Sequence, residues 1–307
     1  MSVDQSVLGK TIAIILVVFG HLGFIQKGGA IGVSIFLVLS GYGLTKSYEK
    51  IKYDLRGYWK KRVVNVYIPF VICSFGIISV LYLTKSPILN AISEKNRIIL
   101  GALGFPNNLY DPTMWYISYI FMMYLAFWLT FNFFEKRIMR VVAILIFCGI
   151  VGVLSLFIYS NAVGVYLYVF SFPIGVIFAL YNNIELFFDN ALKKQRIIIC
   201  IGMFILLVYL SDKHILFYEC LTIYTSLFII SILKRMQCFR NKKLLIIGKA
   251  SYIIYLLEGI IMRSMWEYIG KDNFECNFIC GIAILISGVF INYMSKNVCK
   301  VEKRNDK

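Results

Sequence analysis

The chain has 307 residues, of which 60% are hydrophobic, 16% aromatic and 16% charged, with a mean hydropathy of +0.76. A soluble domain carries about 25% charged residues to cover its surface, so a water-soluble globule is excluded. The formal net charge of +16 raises the question of a nucleic-acid partner, and the distribution of the bases decides it. Apolar runs long enough to cross a bilayer, about 20 residues each, recur along the whole chain. We read spans over 11–27, 28–48, 63–84, 113–133, 139–159, 162–181, 197–211, 215–233, 244–262 and 274–295. These predict an all-α, polytopic integral membrane bundle of about ten transmembrane helices, forming a single domain over 1–307. Met1–Lys10 holds one acid and one base, and the run after it leads straight into another span. Thr11–Gln26 therefore reads as a first helix and not as a removable leader.

The loops between the spans alternate in charge. Lys46, Lys50, Lys52, Arg56, Lys60, Lys61 and Arg62 stand between the second and third spans. Lys136, Arg137 and Arg140 follow the fourth, and Lys193, Lys194 and Arg196 follow the sixth. After the eighth come Lys234, Arg235, Arg240, Lys242 and Lys243, and the tail holds Lys296, Lys300, Lys303, Arg304 and Lys307. The opposite loops hold fewer: Lys27, Lys85, Lys95, Arg97, Lys213, Arg263 and Lys271. Bases collect in short cytoplasmic loops, so both termini are expected in the cytoplasm. The basicity belongs to topology and to contact with anionic membrane lipids, with no nucleic-acid partner expected. The segment 85–112, with Pro87, Pro106, Asn107, Asn108, Asp111 and Pro112, suits an ordered external loop. The segment 49–62, which contains KIKYDLRGYWKKR, suits the inner membrane interface. Of the eight cysteines, only Cys276 and Cys280 stand close, one helical turn apart and far from any His. A zinc site needs two such pairs or His partners, so packed or lipid-facing thiols and no metal centre are expected.

Ionisable groups inside the hydrocarbon region cost about 3 kcal/mol or more, so each is a functional candidate. His21 lies within VVFGHLG in the outer half of the first span, and Glu258 within SYIIYLLEG past the middle of the ninth. The second histidine, His214, lies in an outer loop. Histidine suits proton transfer near neutral pH, although a lone His on an apolar helix also reads as a hydrogen-bonded packing residue. Glycines at 23, 28, 29 and 32 follow it and permit close backbone approach. Lys10 precedes His21 by eleven residues, within roughly 20° of three whole turns and about 16 Å along the axis. One face thus carries a cation at the cytoplasmic mouth and a His deep towards the outside. That suits a long donor with its phosphates on Lys10 and its reactive end at His21. Equally, Lys10 is explained as an anchor that snorkels at the helix end.

The runs GKTIAIILVVFGH, GVSIFLVLSGYGLTKSYEK, YWKKRVVNVYIPF, WYISYIFMMYL and GKASYIIYLLEG together resemble the membrane-bound acyltransferase-3 family, in the family's order. The resemblance implies an O-acyltransferase that takes acetyl from acetyl-CoA and places it on an extracytoplasmic glycan. It implies that His21 is the essential His and that Lys10 stands where the family commonly has Arg. Ser40, Gly41 and Tyr42 match a Ser-Gly-aromatic element. Arg62 matches the first Arg of an Arg-x-x-Arg element whose second place is taken by Asn65. Glu258 stands where many members have His.

These matches give the following expectations. His21 and Glu258 are catalytic, with His21 as general base or as acyl carrier and Glu258 orienting the ring. Lys10, Arg62 and Lys61, with Lys60 beside them, bind CoA phosphates. Ser40, Tyr42 and Trp115 are acceptor or oxyanion candidates, with helix packing (Ser40) and the interfacial aromatic belt (Trp115 and Tyr116) as the plainer explanations. No cofactor is bound, and acetyl-CoA is the donor substrate. The acceptor is a surface polysaccharide or its lipid-linked precursor, at the plasma membrane of a cell whose Ile, Lys and Asn richness points to a bacterium. A proton-coupled transporter or flippase is the alternative, because it too would use an intramembrane His–Glu pair.

Overall fold

The computed structural model describes residues 1–51, 54–87, 95–104, 111–158, 168–181, 197–235, 242–270 and 273–305. Among the described residues there are helices and no strands. In chain order they are α1 (Val3–His21), α2 (Gly28–Lys50), α3 (Tyr58–Leu83), α4 (Lys95–Ala102), α5 (Trp115–Phe133) and α6 (Arg137–Ile158). Then follow α7 (Ser171–Leu180), α8 (Ile197–Ser211), α9 (Ile215–Arg235), α10 (Lys242–Ile269) and α11 (Phe274–Asn305). Eight of them are long and apolar enough to cross a membrane, and two shorter apolar helices accompany them. The described residues therefore give eight such helices and do not confirm the expected figure of about ten. Among the described residues the sixth and seventh expected spans hold α7 and α8, and α8 with 15 residues reaches about 22 Å against a hydrocarbon core of about 30 Å. Of the expected external loop, Pro106, Asn107 and Asn108 lie outside the described residues, as do the bases Lys52, Lys193, Lys194, Arg196, Arg240, Lys271 and Lys307.

Two local features shift the boundaries read from hydropathy. The first helix starts at Val3, not near residue 11, because Ser2 and Gln5 form a capping box. The Ser2 hydroxyl accepts the Gln5 amide at 3.2 Å and the Gln5 side chain accepts the Ser2 amide at 2.7 Å, which satisfies first-turn donors that would otherwise be bare. Lys10 therefore sits inside α1 and not at its mouth. In α3, residues Val63–Tyr67 widen into a π turn, in which the Ile68 amide bonds to the Val63 carbonyl. Pro69 has no amide hydrogen to offer the Asn65 carbonyl, and single π turns accommodate such a gap.

α2 is the central element, in contact with α1, α7 and α9, while α10 packs on α1, α3 and α11. Small residues set these close crossings, as expected where packing rather than water expulsion joins helices. A methyl group at Gly175 would overlap the Val38 carbonyl, and one at Gly41 would overlap that of Phe172. The Ser34 and Ser171 hydroxyls hydrogen-bond across the same α2–α7 contact at 2.9 Å. One apolar cluster joins α2, α5, α6 and α7 around Leu37, Tyr119, Phe127 and Phe172. Another joins α1, α10 and α11 around Ile14, Ile254 and Ile284. Large apolar side chains such as Ile72, Ile146, Ile198 and Phe290 face outward, which suits a lipid surround. The end of the bundle at which α1, α3, α6 and α10 begin carries Lys60, Lys61, Arg62, Arg137, Arg140 and Lys243, and we call it the basic end.

Candidate active site

α1 and α10 run side by side from the basic end. The Thr11 hydroxyl donates to the Leu244 carbonyl at 2.8 Å, and Gly248 lies against the Val7 carbonyl, where a side chain would not fit. Ten residues beyond Thr11, this pairing brings His21 beside Glu258. The two side chains meet with Nδ1 and Oε1 3.1 Å apart. The Glu258 side chain is only 2% exposed and that of His21 is 37% exposed, so the carboxylate is enclosed while the imidazole keeps an open edge. The second carboxylate oxygen of Glu258 has no hydrogen-bond partner among the described residues. The opposite edge of the ring, with Nε2, lies against Gly29 in the first turn of α2. A methyl group at Gly20 would overlap the Gly29 amide, so glycine at 20 allows the end of α1 and the start of α2 to meet backbone to backbone.

A third acid completes this end. Asp111 is fully buried and caps the 3-10 turn Pro112–Met114 that leads into α5. It accepts the Thr113 amide at 2.9 Å and the Thr113 hydroxyl at 2.6 Å. Its carboxylate packs on Gly259, where any side chain would collide with both oxygens, and the Tyr255 hydroxyl donates to the Thr113 carbonyl at 2.7 Å. Burial pushes the Asp111 carboxyl up to about 6, with Glu258 adding to the rise and the Thr113 hydrogen bonds and Arg263 opposing it.

Below the His–Glu pair a cavity of about 300 Å³ opens between α1, α2, α3, α5 and α10, lined among others by Lys10, Val17, Ser40, Asn65, Tyr116, Tyr124, Tyr252 and Tyr255. Val17 is one turn before His21 and Tyr255 nearly one turn before Glu258, so the cavity's upper end stops about 6 Å of helix rise short of the pair. Its lower end holds Lys10, exposed and with no ion-pair partner among the described residues. Ser40 lies within hydrogen-bonding reach of the Tyr116 phenol. The Tyr252 hydroxyl bonds to the Val66 carbonyl at 2.7 Å, tying α10 to the π turn of α3.

The other candidates are dispersed around this cavity. Arg62 is half-buried, with its guanidinium 4.1 Å from the Tyr58 ring centre and 5.6 Å from that of Tyr124, and Tyr124 is a cavity wall. Lys61 and Lys60 are exposed beside it. Tyr42 is not brought to the cavity: its hydroxyl accepts from the Met1 amino group at 3.3 Å, and its side chain lines a separate small pocket with Val38, Phe178 and Ile230. Residues 40 and 42 of a helix point about 200° apart, so Ser40 and Tyr42 cannot both face one site. Trp115 stacks on Tyr168 with ring centres 5.6 Å apart and 16° between the planes.

Two buried acids escaped the sequence reading. Asp111 stood in a loop, and its Asp-Pro-Thr order announces a cap but says nothing of Glu258. Glu219, buried in α9, accepts the Phe170 amide at 2.7 Å and so satisfies the start of α7, a structural use for an intramembrane acid. A family model described as an acyltransferase domain matches residues 7–294. No curated protein and no solved structure matches the chain.

Proposed function

The chain belongs to the acyltransferase-3 family and is a membrane acyltransferase, and from that premise we propose that it moves acetyl from cytoplasmic acetyl-CoA to a hydroxyl of an extracytoplasmic surface polysaccharide. One observation carries the reading: the 3.1 Å His21–Glu258 pair stands about one helical turn beyond the far end of a cavity whose near end holds Lys10. In this scheme Lys10, Arg62 and Lys61 attract the donor's phosphates at the cytoplasmic face, and its pantetheine arm lies in the cavity with the thioester near His21. Nδ1–H donates to Glu258, which selects the tautomer with a lone pair on Nε2. Nε2 then takes the proton of the sugar hydroxyl as its oxygen bonds to the thioester carbon. The carbon–sulfur bond breaks, and the proton passes from imidazolium to the departing thiolate. A second route uses the same nitrogen: Nε2 bonds to the thioester carbon as the carbon–sulfur bond breaks, giving acetyl-imidazolium and CoA thiolate. The sugar oxygen then takes the acetyl group as the nitrogen–carbon bond breaks, and the hydroxyl proton passes to the thiolate. In both, the enclosed Glu258 carboxylate stabilises imidazolium, and the first turn of α2, against which Nε2 lies, sets the positive end of that helix beside a developing oxyanion. Membership of an acyltransferase family, and not the pair itself, favours this scheme over proton-coupled transport.

The test is the O-acetyl content of purified surface polysaccharide, by proton NMR, in cells with wild-type, His21→Ala or no protein at matched membrane levels. The acetyl signal is expected to vanish in His21→Ala as in the deletion. Equal acetylation in all three would remove glycan acetylation as the function.

A further inference from the structure

A second cavity, larger than the one below His21, stands apart from it. It is a cleft of about 780 Å³ at the basic end, between the close of α2, the segment before α3, the end of α5 and the start of α6, and it reaches Leu180 at the close of α7. Arg140 is its distinctive wall. This arginine is 8% exposed and lies 5.2 Å from the Tyr48 ring centre and 4.8 Å from that of Phe131. Its Nε donates to the Phe134 carbonyl at 2.7 Å and one terminal nitrogen to the Tyr48 hydroxyl at 3.2 Å. No carboxylate lies within ion-pair distance of it among the described residues. A guanidinium has five N–H donors, so part of the fork is left over, and a buried cation without an anion is costly.

The acids in the cleft do not supply that anion. Asp54 pairs with Arg56 at 2.8 Å, Glu49 with Lys46 at 3.0 Å, and Glu135 is exposed at the rim. Arg137 is exposed at the same rim. Trp128 lines the cleft half-buried, next to Trp59, and offers an aromatic face. An arginine fork held between rings suits a phosphate, and an aromatic face beside it suits a base.

The cleft also leads toward the site already described. Tyr48, Leu55 and Arg56 border both it and a small pocket that reaches Lys61 and Arg62. Arg62 lies over Tyr124, which is a wall of the cavity below His21. A phospholipid headgroup would bring the same phosphate chemistry to Arg140, but it has no need of a route inward. A donor with a nucleotide at one end and a thioester at the other needs one.

We propose that this cleft binds the 3′-phosphorylated nucleotide end of the acyl donor, with Arg140 as the phosphate ligand and Trp128 as the face against which the base stacks. The inference rests on the acyl-CoA reading above. It adds a place for the donor's far end, beyond the phosphates that Lys10 and Arg62 attract.

The purified full-length protein in phosphatidylcholine nanodiscs would be titrated with CoA, with dephospho-CoA, which lacks the 3′-phosphate, and with dioctanoyl phosphatidylglycerol. Wild type is expected to bind CoA about tenfold more tightly than dephospho-CoA, the scale of one charge-assisted contact. Arg140→Gln is expected to erase that preference while leaving dephospho-CoA affinity unchanged, which a general loss of folding would not do. Arg140→Lys, which keeps the charge but not the fork, is expected to fall between them and serves if the Gln variant does not fold. Unaltered discrimination between the two CoA forms in the variants would overturn the proposal. Arg140-dependent binding of the lipid with CoA affinity untouched would assign the site to a headgroup and overturn it too, leaving the acyl-transfer reading intact. A wild type that binds no CoA at all would overturn both.

Discussion

At His21 the two ring nitrogens meet different neighbours, Nδ1 the Glu258 carboxylate and Nε2 the first turn of α2. That asymmetry gives one nitrogen an orienting partner and leaves the other for chemistry. Asp111 extends the acid side of the site, and its titration yields a sign that can be checked. Its carboxyl is raised from 3.8 to about 6, mainly by burial, so the folded chain holds this proton more tightly than the unfolded chain does. The contribution to stability is full below 3.8 and is lost as pH rises through about 6. A shift of this size corresponds to about 3 kcal/mol. Asp111→Asn keeps an oxygen for Thr113 and removes the charge. Its melting temperature is expected to gain on wild type between pH 4 and pH 7, measured in detergent at each pH unit. A constant difference across that range would show that Asp111 does not ionise in place.

Among the helices, α2 and α7 approach closely through glycine, and here packing has little slack. Gly175 faces the Val38 carbonyl with no room for a methyl group, whereas Gly202 in α8 faces open space. Gly175→Ala is expected to destabilise by about 1–3 kcal/mol, the usual cost of overpacking. Gly202→Ala is expected to be neutral or to stabilise by up to about 1 kcal/mol through helix propensity. Thermal retention on size exclusion would separate the two variants, and equal losses would mean that the α2–α7 crossing is looser than described. Element boundaries were readable where they have a chemical marker: Ser2 and Gln5 announce the start of α1, and Pro69 marks the disturbed turn of α3. A hydropathy window misses both, because it averages over capping groups and missing hydrogen bonds alike.

For the whole molecule, the basic end defines an orientation. By the positive-inside tendency, a phosphatase that folds only outside the cytoplasm is expected to be inactive when fused after Lys307 and active when fused after Lys213. The reverse pattern would invert the membrane orientation and with it the side from which the donor arrives. Apolar runs determined by themselves that this is a helical membrane protein, because backbone groups in lipid must be satisfied within each helix. The cost of intramembrane charge singled out His21 and Glu258, and helix periodicity put Lys10 and His21 on one face, since both depend only on local sequence. The tertiary structure decided that His21 and Glu258, 237 residues apart, touch, that Asp111 lies buried at the same end, and that Tyr42 turns to a different pocket. It also decided that Arg140, one of many bases near helix ends, is enclosed by Tyr48 and Phe131. In each of these cases the deciding contact joins helices distant in sequence, and a pattern of apolar residues in lipid does not encode which helix faces which.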